Sequence, residues 1–192
     1  DMIATYYRKE RGDRDEATKW YKDILKTHKE RDVSKADQAN FYAAKAQFML
    51  AEYQFQDWKK IQLKGDVERQ GKILEKKKKG SREVSKVFKK VFQYKSLEWT
   101  LAANFRIGSL FQQFANALYN APIPFEEGSQ EYNIYITELE NVAIPLEDEA
   151  IKRFKKTIKK ARDEKVVNEW TKKTLEELNK YRPQEYPLYK EE

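Results

Sequence analysis

The side chains that most often carry catalysis are few in this sequence and are not grouped. The chain has one histidine, His28, and no cysteine, so it can form neither a disulfide nor a thiolate zinc site. His28 lies near the end of a predicted helix, where a positive charge is favourable to the helix dipole. This position predicts a surface histidine and does not favour a catalytic one.

The carboxylates and glycines do not have the spacing of a recognised site. Glu138 and Glu140, like Glu147 and Asp148, lack the one-turn spacing that places two ligands on one helix face. The loop over residues 126–131 leaves a weak calcium site open, although no ligand loop of known spacing is present. The glycines are isolated and form no phosphate-binding loop. We therefore expect no enzyme activity, no cofactor and no metal.

Uneven charge is the strongest chemical signal. The chain carries 39 Lys and Arg against 32 Asp and Glu, a net charge of +7. Between Lys59 and Lys95 there are 14 basic and four acidic residues, whereas between Arg106 and Lys152 there are eight acidic residues and no basic one. Such asymmetry predicts a charged partner or charged self-contact.

Two binding hypotheses follow from this asymmetry. The basic segment, residues 59–95, could bind nucleic acid or another polyanion. Nucleic acid is the weaker choice, because Phe88 and Phe92 share an apolar stripe with Val84 and Val91 and are expected in the core.

Contact between basic and acidic regions of two copies would give heterologous self-association. A solvated lysine-rich helix with no partner also stays open. The candidate polyanion-binding residues are Lys76, Lys77, Lys78, Lys79, Arg82 and Lys86.

The elements that must position these charges are predicted to be helices, since strand signals are nearly absent. A polar loop is expected over residues 30–35. The glycines Gly71 and Gly80 predict a weak point in the fourth helix, and Pro145 predicts an interruption or kink in the acidic one. The helices are expected at about residues 2–10, 13–27, 36–61, 67–94, 97–119, 129–141, 146–162 and 168–180.

One apolar pattern occurs three times. A small or short residue is followed four positions later by an aromatic one and three positions after that by a β-branched one, and the copies are 67 and 66 residues apart. Spacing of this kind predicts stacked helical hairpins whose shared positions form the core. The three trios are Ala17, Tyr21 and Ile24; Val84, Phe88 and Val91; and Ala150, Phe154 and Thr157.

The repeat resembles the tetratricopeptide repeat. Residues 12–25 are similar to the turn and second helix of that repeat, and residues 148–158 resemble another copy. Residues 107–111 match the Leu-Gly and Tyr positions of its first helix. Asn104 and Val84 depart from the family pattern, and the units are about twice the usual 34 residues.

This resemblance implies an all-α fold in which helical hairpins form a short right-handed superhelix, an α-solenoid. Residues 1–192 are expected to be one domain, cut from the C-terminal part of a longer repeat protein. In such arrays the first helix of each hairpin lines a concave, protein-binding face. Phe48, Phe55 and Phe105 are either buried there by neighbouring helices or exposed in a hydrophobic groove. The candidate protein-binding residues are Lys45, Phe48, Glu52, Phe55, Phe105, Ser109, Gln112 and Gln113.

A narrower resemblance covers most of the chain from Ala44 onward. It is carried by residues 51–55, 106–108, 120–124, 145–147, 168–171 and 182–187. These runs are similar to large periplasmic repeat proteins of gliding deltaproteobacteria. The resemblance implies a noncatalytic protein–protein scaffold in an envelope complex for motility or adhesion, located in the periplasm or cell envelope. Composition alone leaves the cytoplasm open, and no apolar run reaches the length of a membrane span.

Overall fold

The computed structural model of this chain describes residues 1–31 and 37–188. Within these two ranges the chain forms seven α-helices and no strand, which confirms the prediction of an all-α protein. Most of the loop predicted over residues 30–35 lies outside the described residues. The α-helices are α1 (Met2–Lys9), α2 (Arg14–Glu30), α3 (Asp37–Lys59), α4 (Val67–Lys89), α5 (Leu97–Tyr119), α6 (Gln130–Asp163) and α7 (Glu169–Tyr181), with a short 3-10 helix, Lys90–Tyr94, after α4.

Local side chains determine where four of the helices begin. The side-chain oxygens of Asp13, Asp66 and Ser129 each accept a hydrogen bond from the backbone N–H three residues further on. Asn168 forms a capping box with Thr171, in which each side chain bonds to the other residue's backbone N–H. These caps satisfy N–H groups that have no partner inside the helix.

Two expected breaks are absent. The weak point predicted near Gly80 does not interrupt α4, which is continuous from Val67 to Lys89. The missing side chain of Gly80 makes room for Trp58, since a Cβ at position 80 would lie 2.8 Å from the indole. The interruption predicted before Pro145 is also absent, since the 34-residue helix α6 continues through this proline, while the kink that was the other expectation stays a prediction. Pro145 has no backbone N–H, so the carbonyl of Asn141 lacks its helical hydrogen bond. Both residues are exposed. Water can therefore bind that carbonyl.

Packing follows chain order. Each helix from α1 to α7 contacts the next one, and α3, α5 and α7 also contact one another in series. α5 and α6 approach each other closely at Gly108, where a Cβ would lie 2.6 Å from the Phe154 ring. A solenoid of right-handed twist stays a prediction.

The predicted core positions are confirmed. Ile24 is half-buried, and the other eight members of the three trios are at most 4% exposed. Eight of the nine trio residues therefore pack in the interior and are not exposed to a partner. The buried members are Ala17, Tyr21, Val84, Phe88, Val91, Ala150, Phe154 and Thr157.

Candidate functional site

His28 is a packing residue of α2 in this structure. Its Nε2 lies 2.8 Å from Oδ1 of Asn40, and its ring meets Tyr94 edge-on with 5.2 Å between ring centroids. Across residues 1–31 and 37–188, no three His, Asp or Glu side chains are close enough together to hold a metal ion.

The three phenylalanines of the predicted protein-binding face are buried. Phe48 is 2%, Phe55 3% and Phe105 5% exposed. Trp170 from α7 packs against both Phe48 and Phe105, with ring centroids 5.2 and 5.8 Å away. The sequence left open whether these rings are buried or exposed in a groove, and in the structure they are buried. The sequence could not show that Trp170, more than 60 residues away, covers these rings.

Two charged members of this set form ion pairs between elements. Nζ of Lys45 lies 2.7 Å from a carboxylate oxygen of Asp1, and a carboxylate oxygen of Glu52 lies 2.7 Å from Nε of Arg106 on α5. Both pairs are largely shielded from solvent. Sequence reasoning missed Arg106, because its partner lies 54 residues earlier and no local pattern joins them.

The polar residues of α5 differ in how much of their hydrogen-bonding capacity is free. The buried Ser109 hydroxyl donates to the carbonyl of Phe105, and the buried Gln112 amide donates to Glu177 at 2.7 Å and to the Tyr181 hydroxyl at 3.2 Å. Gln113 is half-exposed, and its side chain makes no hydrogen bond within the described part of the chain. Among the predicted polar residues, Gln113 is therefore the one best placed to receive a partner.

The basic residues of α4 divide into an exposed set and one buried exception. Lys77 is only 2% exposed. The sequence pattern groups Lys77 with the candidate polyanion-binding residues, but position 77 lies on the face of α4 that packs against the end of α3 and not on the exposed face. The exposed members are Lys76, Lys78, Lys79, Arg82 and Lys86.

Lys77 is held by Trp58 and the segment that follows α3. Its Nζ donates to the carbonyl of Ile61 at 2.8 Å and lies 4.1 Å from the centroid of the Trp58 ring. The indole Nε1 in turn donates to the carbonyl of Lys77 at 2.8 Å. Burial disfavours the charged amine and lowers the pKa of Lys77 from 10.5 to about 8.

A cleft of about 460 Å³ opens beside this lysine, between the end of α3, α4 and the C-terminal half of α5. We call it the lysine cleft. It contains two lysines and four carboxamides, and none of the residues that line it is acidic. Its polar lining consists of Lys59, Gln62, Lys77, Gln113, Asn116 and Asn120.

A second cleft, of about 290 Å³, lies on the other side of α5, between α5, α6 and α7. We call it the glutamate cleft. Gln113 and Asn116 line both clefts and form a ridge between them. The glutamate cleft has two carboxylates and one lysine, so the two clefts differ in charge. Its other lining residues are Gln112, Glu147, Glu177, Lys180 and Tyr181.

Comparison with known proteins adds no family assignment. The chain matches no family model, no curated protein and no solved structure. None of the helices in the described ranges is both long enough and apolar enough to span a bilayer. The candidate site therefore rests on its geometry, and the tetratricopeptide resemblance stays a prediction.

Proposed function

We propose that this chain is a noncatalytic scaffold that binds other proteins, and that a partner segment binds across the ridge of α5. The observation that carries the proposal is the pair Gln113 and Asn116. Neither side chain forms a hydrogen bond within the described residues, and both lie between two clefts of different charge.

Carboxamides on a ridge suit a polypeptide partner. Each carboxamide offers N–H donors and a carbonyl acceptor, which are the groups that pair with a peptide backbone. A segment lying across α5 would place one of its side chains in each cleft. We expect an acidic side chain in the lysine cleft and a basic one in the glutamate cleft.

The proposed architecture is a short right-handed α-solenoid. The sequential helix contacts and the series α3, α5 and α7 support it, because each unit of a repeat array contacts mainly its neighbours. We further propose a place in a bacterial envelope complex for motility or adhesion. This rests on the sequence resemblance alone, and fractionation of cells that express the native gene tests it.

Crosslinking in the native host tests the scaffold proposal. We expect the intact protein to capture a defined set of partners, and the double variant Gln113→Ala, Asn116→Ala to lose most of that capture. Gln54→Ala is the matched control, since Gln54 is an exposed carboxamide of α3 outside both clefts. Equal capture by the double variant and the wild type would exclude the ridge as the binding surface.

A second candidate function is polyanion binding by α4. Lys76, Lys79, Arg82 and Lys86 are exposed and recur every three or four residues, so they form a row on one face of the helix. Lys86 pairs with Glu83 at 3.3 Å. The other three have no ion-pair partner among the described residues.

Heparin affinity chromatography tests this candidate. Replacing Lys76, Lys79 and Arg82 with Gln should lower the salt concentration needed for elution, because fewer counterions are released on binding. A control with the same change in net charge replaces exposed lysines of α6 and α7. Identical elution of the two variants would contradict a specific site on α4. The control substitutions are Lys156→Gln, Lys159→Gln and Lys172→Gln.

A further inference from the structure

We propose that the lysine cleft is a binding site for a carboxylate group, and that Lys77 is the buried cation that pairs with it. This deepens the scaffold proposal and rests on it in one respect, namely that the carboxylate belongs to an acidic side chain of the partner. The same chemistry would also accept a small free dicarboxylic acid.

The first support is that Lys77 is buried without an opposite charge. Lysine is almost never fully buried unless it is paired, and a buried ammonium without a partner is costly. No carboxylate among the described residues forms an ion pair with Lys77. The ammonium has three N–H donors, and one of them donates to the carbonyl of Ile61. No other acceptor within the described residues hydrogen-bonds this amine, so it retains donor capacity for an anion in the adjoining cleft.

The second support is the composition of the cleft. The carboxamide side chains of Gln62, Gln113, Asn116 and Asn120 line the cleft, and carboxamide N–H groups can donate to an anionic oxygen. One N–H of Asn120 already donates to the backbone carbonyl of Asn116 at 2.7 Å. Lys59, which is exposed, adds a second positive charge at the rim. A cavity with cations and donors but no carboxylate attracts anions and repels cations.

The third support concerns which anion fits. One buried ammonium matches the single charge of a carboxylate, and a hydrogen bond between two charged groups is stronger than a neutral one. The cleft has no arginine, whose planar fork would suit a carboxylate and a phosphate alike, so the choice between these anions rests on the single buried ammonium. Its volume of about 460 Å³ is large enough for a side chain of glutamate size.

The charge state of Lys77 agrees with this assignment. Burial lowers the pKa of the amine to about 8, and a bound carboxylate would raise it by favouring the charged form. Lys59 is the other ionisable group that lines the cleft; α5 contributes only carboxamides to it, together with Ala117. On α4 itself, Glu75 and Lys78 pair with each other at 3.8 Å, and both are exposed.

Nuclear magnetic resonance titration of the full chain tests the proposal. The probes are glutarate, N-acetylglutamate α-amide, which keeps only its side-chain carboxylate, and inorganic phosphate. We expect saturable shifts of the Gln113 and Asn116 side-chain amide signals with both carboxylates. Lys77→Met should weaken this binding at least about tenfold, the worth of one charge-assisted hydrogen bond. Lys78→Met, which removes an exposed lysine next to it, should change the affinity less than about twofold.

A measurement on the wild-type chain makes the test independent of whether the variant folds. The pKa of the Lys77 amine, followed through its ε-carbon signal, should rise when glutarate is added. An unchanged pKa, an absence of saturable shifts, or tighter binding of phosphate would overturn the assignment. Partner capture that depends on Gln113 and Asn116 would survive such a result, so failure of the carboxylate site is distinguishable from failure of the scaffold.

Discussion

At the scale of single residues, Lys77 is the most unusual group in the chain. It belongs to a run of four lysines that reads as a solvated helix face, yet its neighbours Lys76 and Lys78 are exposed while it is buried. Its amine lies 4.1 Å from the centroid of the Trp58 ring and donates to the carbonyl of Ile61. Lys77, which the sequence pattern assigns to a basic surface, is therefore part of the interior.

The lowered pKa of Lys77 predicts a pH-dependent stability. The folded-state pKa of Lys77 is about 8, and the ordinary pKa of a lysine is 10.5. Between these values the unfolded chain binds a proton that the folded chain does not, so stability due to this group rises with pH. It is fully present above about pH 10.5 and lost as the pH falls through about 8.

The variant Lys77→Met isolates this effect, because methionine does not titrate. The free energy of unfolding of the wild type minus that of the variant should rise by up to about 3 kcal/mol between pH 7 and pH 10.5. Urea denaturation of both proteins at several pH values measures it, with Lys78→Met as the control. A difference that does not change with pH would show that the amine keeps an ordinary pKa.

At the scale of elements, glycines determine how closely two pairs of helices pack. Gly108 in α5 lies against the Phe154 ring of α6, and Gly80 in α4 lies against the indole of Trp58 in α3. Glycine lowers helix stability by about 1 kcal/mol relative to alanine. In both places the close approach of an aromatic ring offsets that cost. Gly71 differs, since a Cβ there would meet nothing within 4 Å.

Alanine substitutions should therefore have opposite effects at two helical glycines. Gly108→Ala places a Cβ 2.6 Å from a buried ring, and overpacking of this kind costs about 1–3 kcal/mol. Gly71→Ala should stabilise the protein by about 0.5–1 kcal/mol through helix propensity alone. Chemical denaturation of both variants measures the difference. Equal stability changes would mean that the α5–α6 contact is looser than described.

At the scale of the whole molecule, the charge asymmetry of the sequence is also present on the surface. Five of the six candidate polyanion-binding residues on α4 are exposed. The acidic region, which runs from the segment before α6 through its N-terminal half and middle, also exposes most of its carboxylates. The exposed acidic residues are Glu126, Glu127, Glu131, Glu138, Glu140 and Asp148.

Two exposed regions of opposite charge predict self-association that weakens with salt. Attraction between surface charges is largely screened at separations beyond about 3 Å in 1 M salt but reaches about 30 Å at 0.01 M. Sedimentation velocity at low and high ionic strength measures it, and a sedimentation coefficient that does not change would exclude the hypothesis. Neutralising Glu126, Glu127 and Glu131 with Gln should abolish the effect, whereas neutralising Glu10, Asp23 and Glu176 with the matching amides should not.

The sequence by itself determined the class of the fold, most of the elements and much of the core. Helical spacing and caps such as Asn168 are local properties, so the predicted helix over residues 97–119 agrees with α5 (Leu97–Tyr119). The recurring trios are buried as predicted, because a periodic apolar stripe on a helix must be covered. Pro145 misled the prediction, since a proline on an exposed face can be accommodated without ending the helix.

The tertiary structure alone decided which polar groups are occupied and which are free. Arg106 pairs with Glu52, Lys77 lies under Trp58, and Gln113 stays unbonded between two clefts. These outcomes depend on how helices separated by tens of residues pack together, and side-chain spacing along one helix carries no information about the neighbour that will cover it. The lysine cleft exists for this reason: it joins Lys77 and Gln113, which the sequence had assigned to two different surfaces.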